Sequence, residues 1–551
     1  MSLRCEGRIG RIASPREALG RGNLRSLRDI TIVARRPAGV ACSAGLLFSP
    51  NAGTAEGMSG GDQTTAGPSA SASGSLFSRY VRDPAFYDEM FDRDGVPHEH
   101  CRALWSALRE MPGEEILQMQ ERAERSFLHE GITFSVYGEE SAQERIIPID
   151  IIPRLVSAAE WEFLERGLTQ RLAALNRFLG DIYGDGRILA DGVVPVDLVR
   201  GCPQYRIEMR AVEPPFGTFV SICGTDIVRT HEGFMVLEDN LRVPSGVSYM
   251  LANRQAVKTS LRGLYRHHRV RSIGHYGALL RQTLAELAPS GVSDPTIVLM
   301  TPGVYNSAFY EHMFLAQEMG VELVQGSDLL VHNGFVHMRT TAGLRRVDVI
   351  YRRIDDDFID PLTFRPDSFL GTPGLFHAYQ LGNVTIANAP GTGVADDKSV
   401  YAYVPEIIRY YLAEEPLLAN VETHLCRDPE GLEYTLDNLD RLVVKMVGES
   451  GGYGMLVGPH ATPDERADYA EQIRRDPANF IAQPTLDLSC SPCLSDGGAA
   501  PRHVDLRPFV LHGRETRIVP GAFCRVALRP GSLVVNSSQG GGGKDLWILP
   551  A

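Results

Sequence analysis

The apolar positions Trp161, Leu164, Leu168, Leu172, Leu175, Leu179 and Ile182 step by three and four, which is the spacing of one face of an α-helix. Gly184 and Gly186 follow at once and predict its end. The period then changes. Within residues 216–240, "FGTFVSICG" and "GFMVLEDN" flank a turn at "HEG" and predict short strands. A helical period returns between Lys258 and Leu287. Beyond it lie a strand "TIVLM" (296–300), a Gly/Asn turn, a helix "SAFYEHMFLAQEMG" closed by glycine, and a strand "VELVQG". That order is a βαβ unit and implies a parallel sheet. "VDVIYRRI" (347–354) predicts a further strand, and "NVTIANAPGTGVADDKSVYAYVPEIIRYYL" a strand, a loop and a helix. From Arg441 onward strands dominate: "RLVVKMV", "GMLVG", "NFIAQPTL", "LRPFVL", "TRIVPGAFCRVAL", "SLVVNSS" and "LWIL". They predict an antiparallel sheet.

Length and composition narrow the class. The 551 residues, 43% hydrophobic and 22% charged, have room for two or three domains around a large core. The formal net charge is −13, although residues 1–36 carry nine Arg against three acids. An acidic body argues against phosphate-backbone binding, so no nucleic-acid partner is expected. No apolar run approaches the ~20 residues of a membrane-spanning helix. Nine scattered cysteines, with the single close pair Cys490 and Cys493, fit reduced thiols in a cytosolic protein better than a metal or redox site. Residues 49–75 form a Ser/Gly/Ala tract, so residues 1–76 read as a disordered leader with Met58 a candidate start.

Lysine is scarce. Only Lys258, Lys398, Lys445 and Lys544 occur among 55 Lys plus Arg, which points to places where a compact ammonium is needed and a guanidinium fork will not fit. Lys445 ends an apolar strand, "RLVVK", ahead of the glycine-rich "GESGGYGML". Consecutive glycines let backbone N–H groups approach phosphate oxygens. A plain hairpin with a surface lysine also fits. "GGGGKD" lacks the Ser/Thr of a Walker A loop, and "GTGVAD" lacks the third glycine of a dinucleotide fingerprint. "GESGG" satisfies the G-x-S-x-G pattern around Ser450, with Asp505 and His512 downstream, but "YGMLVGP" is too short and glycine-broken for the helix that a nucleophile elbow requires.

A second constellation lies in "GTDIVRTHEGFMVLEDN". Asp226 precedes Glu238 by twelve residues, and Asn240 follows two further on. Glu238 and Asn240 share a strand face, with Asp226 across the turn. Two carboxylates and an amide are hard oxygen ligands suited to Mg²⁺ with nucleotide phosphates. A surface acidic hairpin would explain Asp226 and Glu238 but not Asn240.

Taken with "VLEDNLRVPSGVSYMLANR", "VDVIYRRIDDDFIDP", "NAPGTGVADDKSVYAYVPE", "VVKMVGESGGYGML", "HVDLRPFVL" and "SLVVNSSQGGGGKDLWIL", these residues resemble the circularly permuted ATP-grasp family over residues 77–551. That family is distantly related to glutathionylspermidine synthetase, and in it the metal hairpin precedes the lysines. The resemblance implies an α+β / α/β fold: an N-terminal helical region (77–195), an ATP-grasp part with the metal site (196–290), a Rossmann-like pre-ATP-grasp βαβ domain (291–395) and a nucleotide-binding part (396–551). It implies ATP on Lys398 and Lys445, a flap of Ser450, Gly451 and Gly452, adenine read by the backbone near Gln483, and Mg²⁺ on Asp226, Glu238 and Asn240. It also implies catalytic roles for Arg507 and Arg525 in charge stabilisation, a Lys544 that either faces the site or sits on an exposed loop, and Arg352 or Arg353 as substrate-anion contacts. The implied activity is ADP-forming carboxylate–amine ligation of small-molecule or peptide substrates, in the cytoplasm. A Mg-ATP-binding scaffold without catalysis and a serine hydrolase are the alternatives.

Overall fold

The long helix forms as its spacing predicts. In the computed structural model, which describes residues 76–135, 144–448, 454–495, 498–535 and 541–551, it spans Ala158–Tyr183. Ser157 and Glu160 close a capping box at its start, and Gly184 ends it. All seven apolar positions of its stripe are buried. The predicted leader lies outside the described residues up to position 75.

The helix packs against a seven-stranded sheet. Across that sheet the strands run Ala419–Asn420, Gly233–Asn240, Ile222–Thr230, Arg507–His512, Thr516–Val526, Gly542–Ile548 and Ile149–Val156. The predicted hairpin is therefore present, with its first strand starting at Ile222. C-terminal strands pair onto it: Phe509 lies opposite Gly224 and Val510 opposite Cys223, antiparallel. The strand Ile149–Val156, within the stretch read as helical, runs parallel to Gly542–Ile548 and is buried throughout. Every residue of it is buried, Asp150 and Arg154 included, as in a strand covered on both faces.

The βαβ reading also holds. Ile297–Met300, Glu322–Val324, Val349–Arg352 and Thr385–Ala387 form a four-stranded all-parallel sheet. The predicted single antiparallel sheet after Arg441 does not form. Leu442–Met446, Leu456–Val457 and Phe480–Pro484 join His424–Leu425 in a small four-stranded sheet, and Cys490–Ser495 pairs with Gly498–His503. Arg507–His512, Thr516–Val526 and Gly542–Ile548 belong to the seven-stranded sheet, while the predicted strand "SLVVNSS" forms none over its described residues 532–535. Two features divide the segment. The helix Pro463–Arg475 interrupts it, and that helix is so polar that only Ala470 and Ile473 are buried; its Thr462–Glu465 capping box and first-turn proline are its sequence signals. The small sheet also closes over a separate core of Cys426, Leu439, Leu442, Val444, Ile473 and Phe480, among others. It is thus a lobe of its own. No helix among the described residues is long and apolar enough to cross a membrane.

Arg229 reaches the helix cap and pairs with Glu160 at 2.6 Å. Burial pushes the Glu160 carboxyl up, but Arg229 and the two Ser157 hydrogen bonds outweigh it and bring the pKa down to about 2. A depressed carboxyl stabilises the fold at pH above its unfolded value, near 4.5, and that contribution is lost as pH falls towards 2. Ser157→Ala should therefore cost about 1 kcal/mol, read as a lowered thermal midpoint. The deficit of Glu160→Gln should be full at neutral pH and narrow below about pH 4.5.

Candidate functional site

In the hairpin, Asp226 and Glu238 lie directly opposite one another, and Asn240 lies opposite Gly224. Opposed residues of antiparallel strands share a face, with Cβ atoms about 5 Å apart. A bulge follows Asp226, and the strand Arg507–His512 carries another between Pro508 and Val510; such irregularities re-aim side chains beside sites. Asp239, on the opposite face, is consumed by the core: Arg171 of the long helix holds both its oxygens at 2.8 and 2.9 Å. The alternation thus separates a structural carboxylate from two that face the site.

Asp226 is fully buried between two arginines. Arg507 grips both its oxygens, with Nη2 to Oδ2 at 2.7 Å, and Arg525 Nη2 reaches Oδ2 at 2.6 Å. Arg525 is shared with buried Asp505, whose carboxylate oxygens lie 3.0 Å from its Nε. Burial alone would raise the Asp226 pKa, yet Arg507 and Arg525 hold it far below the usual carboxylate range. Burial pushes Asp505 up. Gly224 packs closely here: a Cβ would meet Pro244 at 3.1 Å and the stem of Arg507 at 3.4 Å, so these neighbours would have to give slightly.

Glu238 is partly exposed to a cavity of about 840 Å³, which Asn240, Lys398, Arg507 and Arg525 also line. A slot of about 140 Å³ adjoins it, walled by Val421, Val443, Met446, Val457, Leu486 and Leu488, with Lys445 and Gln483 at its polar end. Cavity and slot share Glu238, Lys398 and Arg525. A flat apolar body therefore fits on one side of a charged junction and a polar group on the other. Asp397 caps the short helix that begins at Lys398, accepting from the Ser399 and Val400 amides at 2.8 and 3.3 Å. Lys445 Nζ donates to Gln483 Oε1 at 2.7 Å. Burial, with Lys398 nearby and against the pull of Glu238, brings the Lys445 pKa down to about 8.

The donors fit a hard divalent cation in part. Burial and the Asp226 carboxylate opposite push the Glu238 carboxyl up, an electrostatic setting that a bound cation relieves. Asn240 gives its amide N–H to Gly224 O at 3.0 Å, which leaves its oxygen as the donor. Asp226 contributes charge, but both its oxygens are engaged by arginine. Among the described residues no cluster of three or more His, Cys, Asp or Glu gathers.

Other expectations are relocated. The backbone of Gln483 lies opposite Val443 and that of Pro484 opposite Leu442 inside the small sheet, and Gln483, Pro484, Thr485 and Leu486 all line the slot. Ser450, Gly451 and Gly452 lie outside the described residues. Arg352 and Arg353 are not brought to the cavity. Arg352 is buried on Asp356 and the carbonyls of Ile354, Asn388 and Ala389. Arg353 is buried on Glu311, Pro244 O and Ser245 Oγ, where it braces a loop of the cavity wall. Lys544 faces neither the site nor solvent: it is fully buried and donates to Asp150, Ile152 O and Pro492 O. Cys490 and Cys493 are buried free thiols. Asp505, which matters here as a partner of Arg525, stands two residues before Arg507 in "HVDLRPFVL", just ahead of the strand Arg507–His512, and that closeness is its readable signal. As hydrolase partners Asp505 and His512 fail: seven residues of extended chain separate them by roughly 20 Å, and His512 bonds Thr516 instead, at 2.9 Å.

Comparison with known proteins identifies the family. Residues 153–527 match the family described as circularly permuted ATP-grasp type 2. An uncharacterized protein of Synechocystis is 53% identical over 85% of this chain and 98% of its own length. A Frankia alni protein named "Putative glutamate--cysteine ligase 2-3" is 43% identical over 86% of this chain and 54% of its own. The apo form of a glutathione synthetase-like effector from Globodera pallida superposes with a TM-score of 0.51 at 11% identity, over 80% of this chain and 98% of that one, a likeness of fold alone. The chain belongs to the circularly permuted ATP-grasp family.

The charge quartet makes a direct prediction for stability. Arg525→Met leaves Asp226 and Asp505 buried without their shared cation, and should destabilise the protein by about 3–5 kcal/mol, measured by chemical denaturation. Arg507→Met should cost less, because Asp226 keeps Arg525.

Proposed function

We propose that the protein is an ATP-dependent carboxylate–amine ligase that forms ADP. The observation that carries this reading is the junction of Glu238, Lys398 and Arg525 between an apolar slot and a wide cavity lined in part by charged residues. The slot suits a purine and the junction suits its phosphates. The name given to the Frankia relative, a ligase, and membership of the ATP-grasp family support the same class.

In this reading Lys445 and Lys398, which both line the slot, neutralise phosphate charge, as preorganised cations do in phosphoryl transfer. Glu238 and Asn240 would hold Mg²⁺, which would supply positive charge to the nucleotide phosphates. Arg507 and Arg525, fixed by Asp226 and Asp505, present cationic groups to the transferred phosphoryl from the cavity floor. A substrate carboxylate oxygen attacks the γ-phosphorus and the bond to the β-phosphate oxygen breaks, giving an acyl-phosphate and ADP. An amine then attacks the acyl carbon and phosphate leaves. The chain's own contribution is positioning and electrostatics, with no covalent protein intermediate.

ADP release tests this. Purified protein with Mg-ATP, challenged with pools of amino acids, short peptides and polyamines, should release ADP only with a productive pool. Lys445→Ala should reduce that release by roughly 100-fold or more. Binding of Mg-ATP with no release from any pool would favour a non-catalytic scaffold.

The Lys445 pKa of about 8 adds a second expectation. Phosphates favour the charged ammonium and raise its pKa, so binding takes up a proton wherever the free protein has lost it. Mg-ATP affinity should be flat below about pH 7 and fall as pH rises through 8. Calorimetry in buffers of different ionisation enthalpy should detect proton uptake near pH 8 in the native protein and none in Lys445→Met.

A further inference from the structure

The carboxamide of Gln483 can face Lys445 in either of two ways, and only one is attractive. Its oxygen accepts from the ammonium, whereas its NH₂ would set donor against donor. Gln483 is 2% exposed, so water does not soften the wrong choice. Something must select the orientation.

That selector is on the page. Gln483 Nε2 donates to Thr423 Oγ1 at 3.0 Å, and Thr423 Oγ1 donates to Val421 O at 3.0 Å. A carbonyl oxygen only accepts, so the single hydroxyl hydrogen of Thr423 is committed to Val421. What the hydroxyl shows Gln483 is a lone pair, which takes the amide NH₂ and turns Oε1 towards Lys445. The anchor is firm at its far end. The Val421 amide donates to Tyr401 Oη at 2.8 Å and to Val236 O at 3.1 Å. Val236 stands two residues before Glu238 on the same strand, and Tyr401 ends the short helix that begins with Lys398. The segment 419–425 thus links the seven-stranded sheet, which it joins at Ala419–Asn420, to the small lobe, which it joins at His424–Leu425.

We propose that Thr423 is a positioning residue for Lys445: by fixing the direction of the Gln483 carboxamide it places the ammonium against the phosphates and in register with Glu238 and Lys398. The inference rests on the nucleotide reading of Lys445 given above. Thr423 touches neither nucleotide nor substrate and acts only through Gln483.

The test is Mg-ATP binding by calorimetry on the full chain, with thermal midpoints as the control for folding. Thr423→Val keeps the shape and removes the hydroxyl, and should weaken binding about tenfold. Thr423→Ser restores the hydroxyl and should return affinity to within about twofold of native. A second arm removes the dependence on orientation: in a Gln483→Glu background both arms of the side chain present oxygen, so adding Thr423→Val should no longer weaken binding. If Thr423→Val binds like the native protein, if serine does no better than valine, or if valine costs the same in the Gln483→Glu background, the proposal is overturned and the nucleotide reading stands. A native protein that binds no Mg-ATP overturns both.

Discussion

Two buried carboxylates and two guanidiniums hold this site together. Asp226, Asp505, Arg507 and Arg525 are each weak folding assets alone, because taking a charge out of water costs several kcal/mol per ion. Together they form a closed set in which Arg525 serves both acids and Arg507 reinforces one. Asp226 comes from the middle of the chain and the other three from near its C-terminus, with Asp226 and Arg507 separated by 281 positions. The quartet can therefore exist only when the hairpin and the C-terminal strands share one sheet, and it gives the cavity a floor whose charges are fixed before any ligand arrives.

The small lobe, which has a core of its own, carries Lys445 on its strand Leu442–Met446. A separate core lets the lobe be built as a unit, yet Lys445 must still be placed against Glu238 on the larger sheet. The seven residues 419–425 do this: they pair with both sheets and carry the hydrogen bonds that run from Lys445 through Gln483 and Thr423 towards Val236. The neighbouring loop of the cavity wall is held in the same spirit by Arg353 and Glu311, which together satisfy Pro244, Ser245 and the Gly246 and Ser248 amides.

The scarcity of lysine was a sound signal with more than one meaning. An ammonium has three donors at tetrahedral angles and no fork. At Lys445 that compactness suits a slot end shared with Gln483. At Lys544 the same geometry satisfies three acceptors in a fully buried position and ties the strand Gly542–Ile548 to Ile149–Val156. Composition marked both as unusual, and only their surroundings separate them.

The sequence by itself determined the local elements and the donor chemistry. The stripe from Trp161 to Ile182, the βαβ order after Ile297, and the Asp226–Glu238–Asn240 spacing are properties of neighbouring residues, and short-range periodicity is enough to read them. Asp239 shows where that reading stops, since it sits between two site residues and differs from them only in facing Arg171. The tertiary structure alone decided which strands share a sheet, that Arg352 and Arg353 are internal braces, that Asp226 is gripped by arginines, and that the Gln483 side chain bonds Lys445. Those outcomes depend on contacts between residues tens to hundreds of positions apart. An arginine in an apolar strand reads the same whether its partner is a buried acid or a ligand, so no local pattern could distinguish them.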